Sequence, residues 1–218
     1  MVCFESPVVP STSWESIGDA TSVLLTGPSG DDRVTETGLS FLSSPAPAAT
    51  HAHWATMLRP PDAMLRAWST HVGDAPASLT LVEVGETRRG SGSAPVDGPP
   101  HSRAHVASPS DLTTLGIRLT EGRASPATGE TRRLWLESLS TLLQYVPLAD
   151  AFQFVHALHR RLADTDAAVC YHLDPTVHEV RTVHTFLASC DVWLAVDGDE
   201  LVTRRRPALD SLSAPERS

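Results

Sequence analysis

The sequence predicts an α/β domain with a mostly parallel central sheet, helices on both sides of the sheet and a β-hairpin at the C-terminal end. Strand-like and helix-like segments alternate through most of the 218 residues, which is typical of parallel strands joined by helices. The strand-like segments are apolar throughout instead of on alternate residues, as expected when both faces of a sheet are covered. Near the C-terminal end, two strand-like segments flank Gly198, which predicts the hairpin.

Three strands and two helices are predicted in the first half of the chain, after an irregular segment at 1–20. The strands are predicted at 22–26, 51–57 and 78–84. The first helix is predicted at 32–43. The second helix begins near Pro60 and ends at Gly73, a usual position for glycine after a helix. Its apolar face consists of Met64, Leu65, Trp68 and Val72.

A flexible loop is predicted between the two halves of the chain, at 85–107, because Gly, Ser, Pro and Arg dominate there without apolar periodicity. A helix follows, with Ser108 or Ser110 as its N-cap. The later strands are predicted at 133–138, 167–173 and 191–196, and the strongest helix at 148–163. Another helix begins at Asp174 and Pro175, with a buried side that consists of Val177, Val180, Val183 and Leu187. A polar tail at 207–218 follows a single domain at 21–206.

The composition is that of a globular protein, and it narrows the classes of partner. Hydrophobic residues make up 41% of the chain, and the formal net charge is −9. All 17 basic residues are arginine, and the absence of lysine and asparagine indicates a GC-rich genome. The acidity and the 6% of aromatic residues would suit a salt-loving organism. Because nucleic-acid binding depends on neutralising phosphates, the negative charge makes nucleic acid an unfavourable partner.

The sequence predicts neither a membrane span nor a secretory leader. No stretch reaches about 18 apolar residues, and no basic segment followed by an apolar run is found near the first residue. The three cysteines, Cys3, Cys170 and Cys190, are far apart, and two of them lie in apolar strand-like runs, as small buried residues do. We expect a cytoplasmic protein without membrane association.

The stretch "LLTGPSGDDR" at 24–33 has the layout of a phosphate-binding loop, since a buried strand leads into a glycine turn and then a helix. The turn consists of Gly27, Pro28, Ser29 and Gly30. A functional loop has a second glycine, a lysine and a Ser or Thr at fixed places, where this chain has Asp31, Asp32 and Arg33. The two carboxylates would repel polyphosphate, and either could instead cap the helix. Arg33 has the charge of the missing lysine, but arginine differs from lysine in shape and reach.

Two further groups of polar residues follow predicted strands. Glu137 and Ser138 follow "LWL", and His172 follows "AVCY". Because ligands of open α/β sheets bind beyond the carboxyl ends of the strands, we expect Gly27, Glu137 and His172 to converge at one edge. Glu137 could bind magnesium through water or accept hydrogen bonds from the loop after the first strand. His172 could contact a ligand or hydrogen-bond the backbone.

The run "SVLLTGPSG", followed far downstream by "LWLESLSTLLQYV", resembles the RecA/KaiC-type P-loop ATPases over about Ser22 to Arg205. The runs "SLSTLLQYV", "ALHRRL" and "YHLDPTVHE" are similar to an uncharacterised group of such proteins from halophilic archaea. In the broader family, an acidic residue followed by Ser at a strand end holds magnesium. The resemblance therefore implies a RecA/KaiC-like fold, with Glu137 and Ser138 at the magnesium position.

The departures from the family pattern predict a degenerate phosphate loop and no catalytic residues. We expect a non-catalytic or weakly nucleotide-binding domain with a regulatory or signalling role, acting through a protein partner or self-association. No cofactor is expected, and ATP with magnesium would bind only if the degenerate loop still holds it. The alternatives are a divergent ATPase that uses 27–33 and Glu137, and a nucleic-acid-associated relative of RecA. Several histidines are close in sequence, but none has a recognised metal-site spacing, so no metal site is predicted.

Overall fold

One eight-stranded sheet organises the computed structural model, which describes residues 20–85, 101–121, 128–163, 165–198 and 200–206. The strands are β1 (Ser22–Thr26), β2 (Thr50–Thr56), β3 (Ser78–Val84), β4 (His101–Val106), β5 (Thr131–Glu137), β6 (Ala167–Leu173), β7 (Val192–Asp197) and β8 (Glu200–Arg205). Their order in the sheet is β4-β3-β2-β5-β6-β1-β7-β8. Only the β7–β8 hairpin is antiparallel among these pairs, as the sequence predicts.

Helices cover both faces of the sheet, which confirms the predicted fold class. The helices are α1 (Asp32–Leu42), α2 (Pro61–His71), α3 (Leu112–Thr120), α4 (Leu139–Leu142), α5 (Leu148–Leu162) and α6 (Val180–Leu187). Apolar residues of α1 and α2 pack on one face, and those of α3, α4, α5 and α6 pack on the other. The strand β1 lies between β6 and β7, and all five of its residues are buried. The loop after β1 is therefore fixed to the centre of the sheet.

The predicted loop at 85–107 is wrong for residues 101–106, which form β4 beside β3. Within the described residues β4 is an edge strand with one partner, so it needs few apolar residues, and its polar sequence gave no strand signal. Residues 86–100 of that loop prediction lie outside the described residues. Residues 1–19 of the irregular segment predicted at 1–20 and the tail at 207–218 lie outside them too.

Two predictions about helix starts are also wrong. Asp111, and neither Ser108 nor Ser110, caps α3, and its side chain accepts a hydrogen bond from the Thr114 amide at 3.0 Å. The helix predicted from Asp174 is divided into a 3₁₀ turn at Pro175–Val177 and the separate helix α6. Val177 and Val180 are therefore 63% and 70% exposed instead of buried.

Candidate functional site

The three residues expected at the carboxyl edge of the sheet do converge there. The Gly27 amide donates to the Leu173 carbonyl at 3.3 Å, and His172 Nε2 lies 3.0 Å from the Gly27 carbonyl oxygen. Glu137, the last residue of β5, pairs in register with Thr56 at the end of β2. The strands β5, β6 and β1 are neighbours in the sheet, as the sequence predicts.

The turn after β1 depends on two glycines for different reasons. A Cβ atom at Gly27 would lie 2.6 Å from Cγ2 of Val34 and 3.1 Å from Cβ of Val196, so no larger residue fits without movement of packed side chains. Gly30 has a φ of +86°, which L side chains rarely adopt. Pro28 and Ser29 between them are exposed. These constraints give the turn its compact shape.

The first turn of α1 uses Asp31 as its N-cap. Asp31 Oδ1 accepts a hydrogen bond from the Arg33 amide at 2.8 Å, which is the capping role expected for Asp31 or Asp32. Asp32 is exposed in the first turn of the helix. The Arg33 side chain extends to the hairpin, where Nη1 donates to the Gly198 carbonyl at 2.7 Å. Val34, the next residue after Arg33, is buried.

The carboxylate of Asp174 closes the turn from the neighbouring strand. Asp174 Oδ2 accepts from the Ser29 amide at 2.7 Å, and Oδ1 accepts from the Thr176 amide and hydroxyl at 2.9 and 2.6 Å. Burial alone would raise the pKa of Asp174, but these hydrogen bonds outweigh it and lower the pKa below its usual value. The sequence placed Asp174 at a helix start and, with His172 and Leu173, at the third strand end, but it did not predict the contact of Asp174 with Ser29.

Glu137 is bound by residues from β2 and from the loop after it. Its Oε1 accepts from Arg59 Nη2 at 2.7 Å, and its Oε2 accepts from Trp54 Nε1 at 3.1 Å. The same Arg59 nitrogen donates to the Thr35 hydroxyl at 3.0 Å. The expectation that the loop after β1 supplies the donors to Glu137 is therefore wrong. Sequence reasoning missed Arg59, although its place just after β2 puts it at the same edge.

The other two candidate residues make local contacts. Ser138 caps α4, and its Oγ accepts from the Thr141 amide at 3.1 Å. His172 is 1% exposed. Burial lowers the pKa of His172, against the opposing effects of the Gly27 carbonyl, Glu137 and Asp174. A neutral ring that donates from Nε2 to Gly27 leaves Nδ1 as an acceptor, and that atom has no hydrogen-bond partner within the described residues.

The described residues contain neither a metal-ligand cluster nor a helix that could span a membrane. Where the chain is described, no three side chains of His, Cys, Asp or Glu lie together as metal ligands. None of the described helices combines the length and the apolar character needed to cross a membrane.

Comparisons with solved structures identify the same fold in archaeal proteins. PH0250 from Pyrococcus horikoshii OT3 is 10% identical, with a TM-score of 0.53 and coverage of 88% of each chain. The uncharacterised protein PH0321 from Pyrococcus horikoshii, crystallised in complex with an unknown peptide, is 11% identical, with a TM-score of 0.52 and coverage of 88% of this chain and 89% of that one. At these identities the likeness shows the fold alone.

A weaker likeness is to the KaiC-like protein PH0186 from Pyrococcus horikoshii OT3, at 14% identity, a TM-score of 0.49 and coverage of 87% of this chain and 81% of that one. Among curated proteins, none matches this sequence. β1 lies between β6 and β7, the glycine turn follows it, and Glu137 ends β5. A model of a family of unknown function, DUF7504, matches residues 20–196, and the chain therefore belongs to that family.

Proposed function

We propose that this domain is a non-catalytic member of the RecA/KaiC-like fold that acts by binding a protein partner in regulation or signalling. The observation that carries the proposal is the 2.7 Å hydrogen bond from the Ser29 amide to the Asp174 carboxylate. In a working phosphate loop, backbone amides at this turn bind the phosphates of ATP. Here one such amide is already bound to an anionic oxygen of the chain itself.

The residues around the turn do not fit the phosphates of a nucleotide. A phosphate at Ser29 would have to displace the Asp174 carboxylate and would then lie beside it. The chain has no lysine, and the guanidinium of Arg33 is engaged by the Gly198 carbonyl. The N-terminus of α1 favours an anion by only about 0.3–1 kcal/mol at an exposed position. That gain is too small to offset repulsion by the carboxylates of Asp31 and Asp174.

The residues do not fit the magnesium ion that accompanies ATP either. Counting from Gly27, the phosphate-loop pattern places Asp32 at the second glycine, Arg33 at the lysine and Val34 where a Ser or Thr hydroxyl would bind the metal, which corrects the assignment of these places to Asp31, Asp32 and Arg33. Val34 is buried and has no oxygen in its side chain. Glu137, at the position of the acidic metal residue, forms an ion pair with Arg59 at 2.7 Å. We therefore derive no catalytic step that uses a metal or a nucleotide.

Exposed apolar side chains near the carboxyl edge of the sheet support the binding of a protein there. Leu58 follows β2 and is 43% exposed, and Tyr145 follows β5 and α4 and is 56% exposed. Val177 and Val180 follow β6 and are more exposed still. Contiguous exposed apolar patches mark protein interaction sites, and we propose that these four side chains form one. This edge is also where open α/β sheets bind their ligands.

A thermal-shift titration tests the nucleotide half of the proposal. A ligand that binds only the folded state at a hundredfold excess over Kd stabilises it by about 2.7 kcal/mol. We expect Mg-ATP at millimolar concentration to raise the Tm no more than magnesium with inorganic phosphate does. A rise specific to ATP, lost in the variant Glu137→Gln, would instead support a divergent ATPase.

Paired surface variants test the binding half of the proposal. The double variant Val177→Ser/Val180→Ser alters the carboxyl edge, and Ile117→Ser alters an exposed apolar residue on α3 as a matched control. The wild type is used to capture proteins from an extract of the source cells. We expect Ile117→Ser to capture the same proteins and the double variant not to capture them. Equal capture by all three would contradict a binding role for this edge. Sedimentation of the same proteins distinguishes self-association from a different partner.

A further inference from the structure

We infer that the guanidinium of Arg59 takes the place of a divalent cation at the carboxyl edge of the sheet. In this view Glu137 and Thr35 form a cation site that the chain fills with its own side chain. Removal of that side chain would open the site to a metal ion, although the wild-type protein does not use one there.

The geometry around one nitrogen atom carries the inference. Arg59 Nη2 lies 2.7 Å from Glu137 Oε1 and 3.0 Å from Thr35 Oγ1. Because this nitrogen has two hydrogens, it can donate one to each oxygen. A carboxylate and a hydroxyl are hard oxygen ligands of the kind that divalent cations such as Mg²⁺ and Ca²⁺ bind. Thr35 follows Val34 directly, so its hydroxyl lies one residue beyond the position that the phosphate-loop pattern assigns to the metal ligand.

Burial explains why a positive charge is needed at this point. Glu137 is 2% exposed, and a buried carboxylate without a nearby positive charge is strongly unfavourable. Arg59 supplies that charge, and its side chain is 23% exposed. The guanidinium carbon lies 5.9 Å from the centroid of the Trp54 ring, and Trp54 donates to the second oxygen of Glu137. The cation is therefore held by an ion pair, a hydroxyl and an aromatic face.

The inference rests on the proposed function in one respect, since both concern the edge that would hold Mg-ATP in an active relative. The proposed function and the inference about Arg59 are contradicted by different results. An ATP-specific stabilisation of the wild type would contradict the proposed function. The inference about Arg59 is tested without nucleotide, by metal binding to variants that lack the guanidinium.

Terbium luminescence gives a direct measurement of the cation site. Tb³⁺ binds oxygen ligands as Ca²⁺ does, and it emits when a nearby tryptophan absorbs light, so Trp54 serves as the sensitiser. The proteins compared are the wild type, Arg59→Ala and Arg66→Ala, an exposed arginine on α2 that serves as the matched control. We expect Arg59→Ala to bind one Tb³⁺ at least about tenfold more tightly than the wild type and Arg66→Ala do. Those two proteins measure the non-specific binding of Tb³⁺ to this acidic chain. The added change Glu137→Gln should abolish the gain.

The variant Arg59→Ala leaves the Glu137 carboxylate without its cation and could therefore fold poorly. A second measurement keeps the inference testable in that case. In that case Arg59→Gln, which keeps a polar but shorter and uncharged side chain, replaces it, and circular dichroism is recorded with and without Mn²⁺. Refolding or a rise in Tm with Mn²⁺, absent from the wild type, supports the inference. Folded variants that bind no more Tb³⁺ than the wild type overturn it, and so do unfolded variants that Mn²⁺ does not restore.

Discussion

At the scale of single residues, Gly38 on α1 has no space for a side chain. A Cβ atom there would lie 2.3 Å from Cζ2 of Trp135, and two more atoms of that ring lie within 2.6 Å. Trp135 is fully buried and stacks on Trp54 with ring centroids 5.0 Å apart, so it has little freedom to move. We expect Gly38→Ala to lower the free energy of unfolding by about 1–3 kcal/mol.

Gly116 on α3 is the matched control for Gly38, because it is also a glycine inside a helix. A Cβ atom at Gly116 would meet Phe154 at 3.5 Å, an ordinary contact distance. Gly116→Ala should therefore stabilise the protein by up to about 1 kcal/mol through helix propensity. Chemical denaturation followed by tryptophan fluorescence measures both variants. Equal effects of the two substitutions would contradict the close packing of α1 against Trp135.

A buried histidine, His53, makes stability depend on pH. Burial, with smaller contributions from Arg132 and His51, lowers the pKa of His53 to about 4, against the opposing effects of the Arg118 backbone and Glu121. Its unfolded pKa is about 6.5, so below that pH the unfolded chain takes up a proton that the folded chain does not. Stability from the neutral ring is complete above about pH 6.5 and decreases as the pH falls towards the folded pKa, with a loss of about 2 kcal/mol by pH 5.

The variant His53→Leu removes this titration and should flatten the pH dependence. The measured quantity is the difference in unfolding free energy between about pH 7.5 and pH 5, which is independent of any constant effect of the substitution. His159 also has a pKa lowered to about 4, chiefly by burial, so His53→Leu should remove only part of the wild-type dependence. An unchanged dependence in His53→Leu would show that His53 is protonated in the folded state.

Residues of the candidate site differ in how far the sequence predicts their contacts. Gly27, Glu137 and His172 were predicted to converge because each lies at the carboxyl end of a strand, and the carboxyl ends of parallel strands lie at one edge of the sheet. The contacts of Arg59 and Asp174 were not predicted. Each depends on the path of a loop beside a strand distant in sequence, and such a path leaves no periodic pattern. For Glu137, the position at the edge was predicted correctly, but its hydrogen-bond partners were not.

At the scale of elements, β1 and β4 differ in how well the rest of the sheet protects them. Each residue of β1 is buried, and the strand pairs with β6 and β7. The described part of the chain gives β4 one partner, β3, and Ser102 and His105 are exposed. We expect hydrogen exchange to be slowest in β1, where amides open only on global unfolding, and much faster in β4. Comparable protection of the two strands would indicate that another segment covers β4.

The same contrast explains which elements the sequence predicts. Strands such as β1 and β6 are apolar throughout because helices cover both faces, and this pattern was recognised. The β4 sequence HSRAHV has one large apolar residue, Val106, and it becomes a strand through pairing with β3. Val177 and Val180 have helical spacing, but Pro175 begins a separate 3₁₀ turn, and the spacing therefore carried no information about burial.

At the scale of the whole molecule, the excess of acidic residues should make stability depend on salt. The chain has 26 acidic and 17 basic residues, and its formal net charge is −9. Repulsion among these charges disfavours the compact state. Exposed ion pairs such as Arg118–Glu121 oppose this only weakly, since such pairs contribute about 0–1 kcal/mol each. The net effect of salt near neutral pH should therefore be stabilisation.

We expect the Tm near pH 7.5 to rise as sodium chloride is raised from about 0.1 M to 1 M, because the Debye length falls from about 10 Å to 3 Å. A second titration at the isoelectric point, about pH 5.5, is the control, since the net charge there is close to zero. The protein should be less stable at that pH, because His53 and His159 remain neutral in the folded state. The Tm should nevertheless respond less to salt there. An equal rise at both pH values would assign the effect to solvation instead of charge, and a fall at pH 7.5 would show that attractive ion pairs outweigh the repulsion.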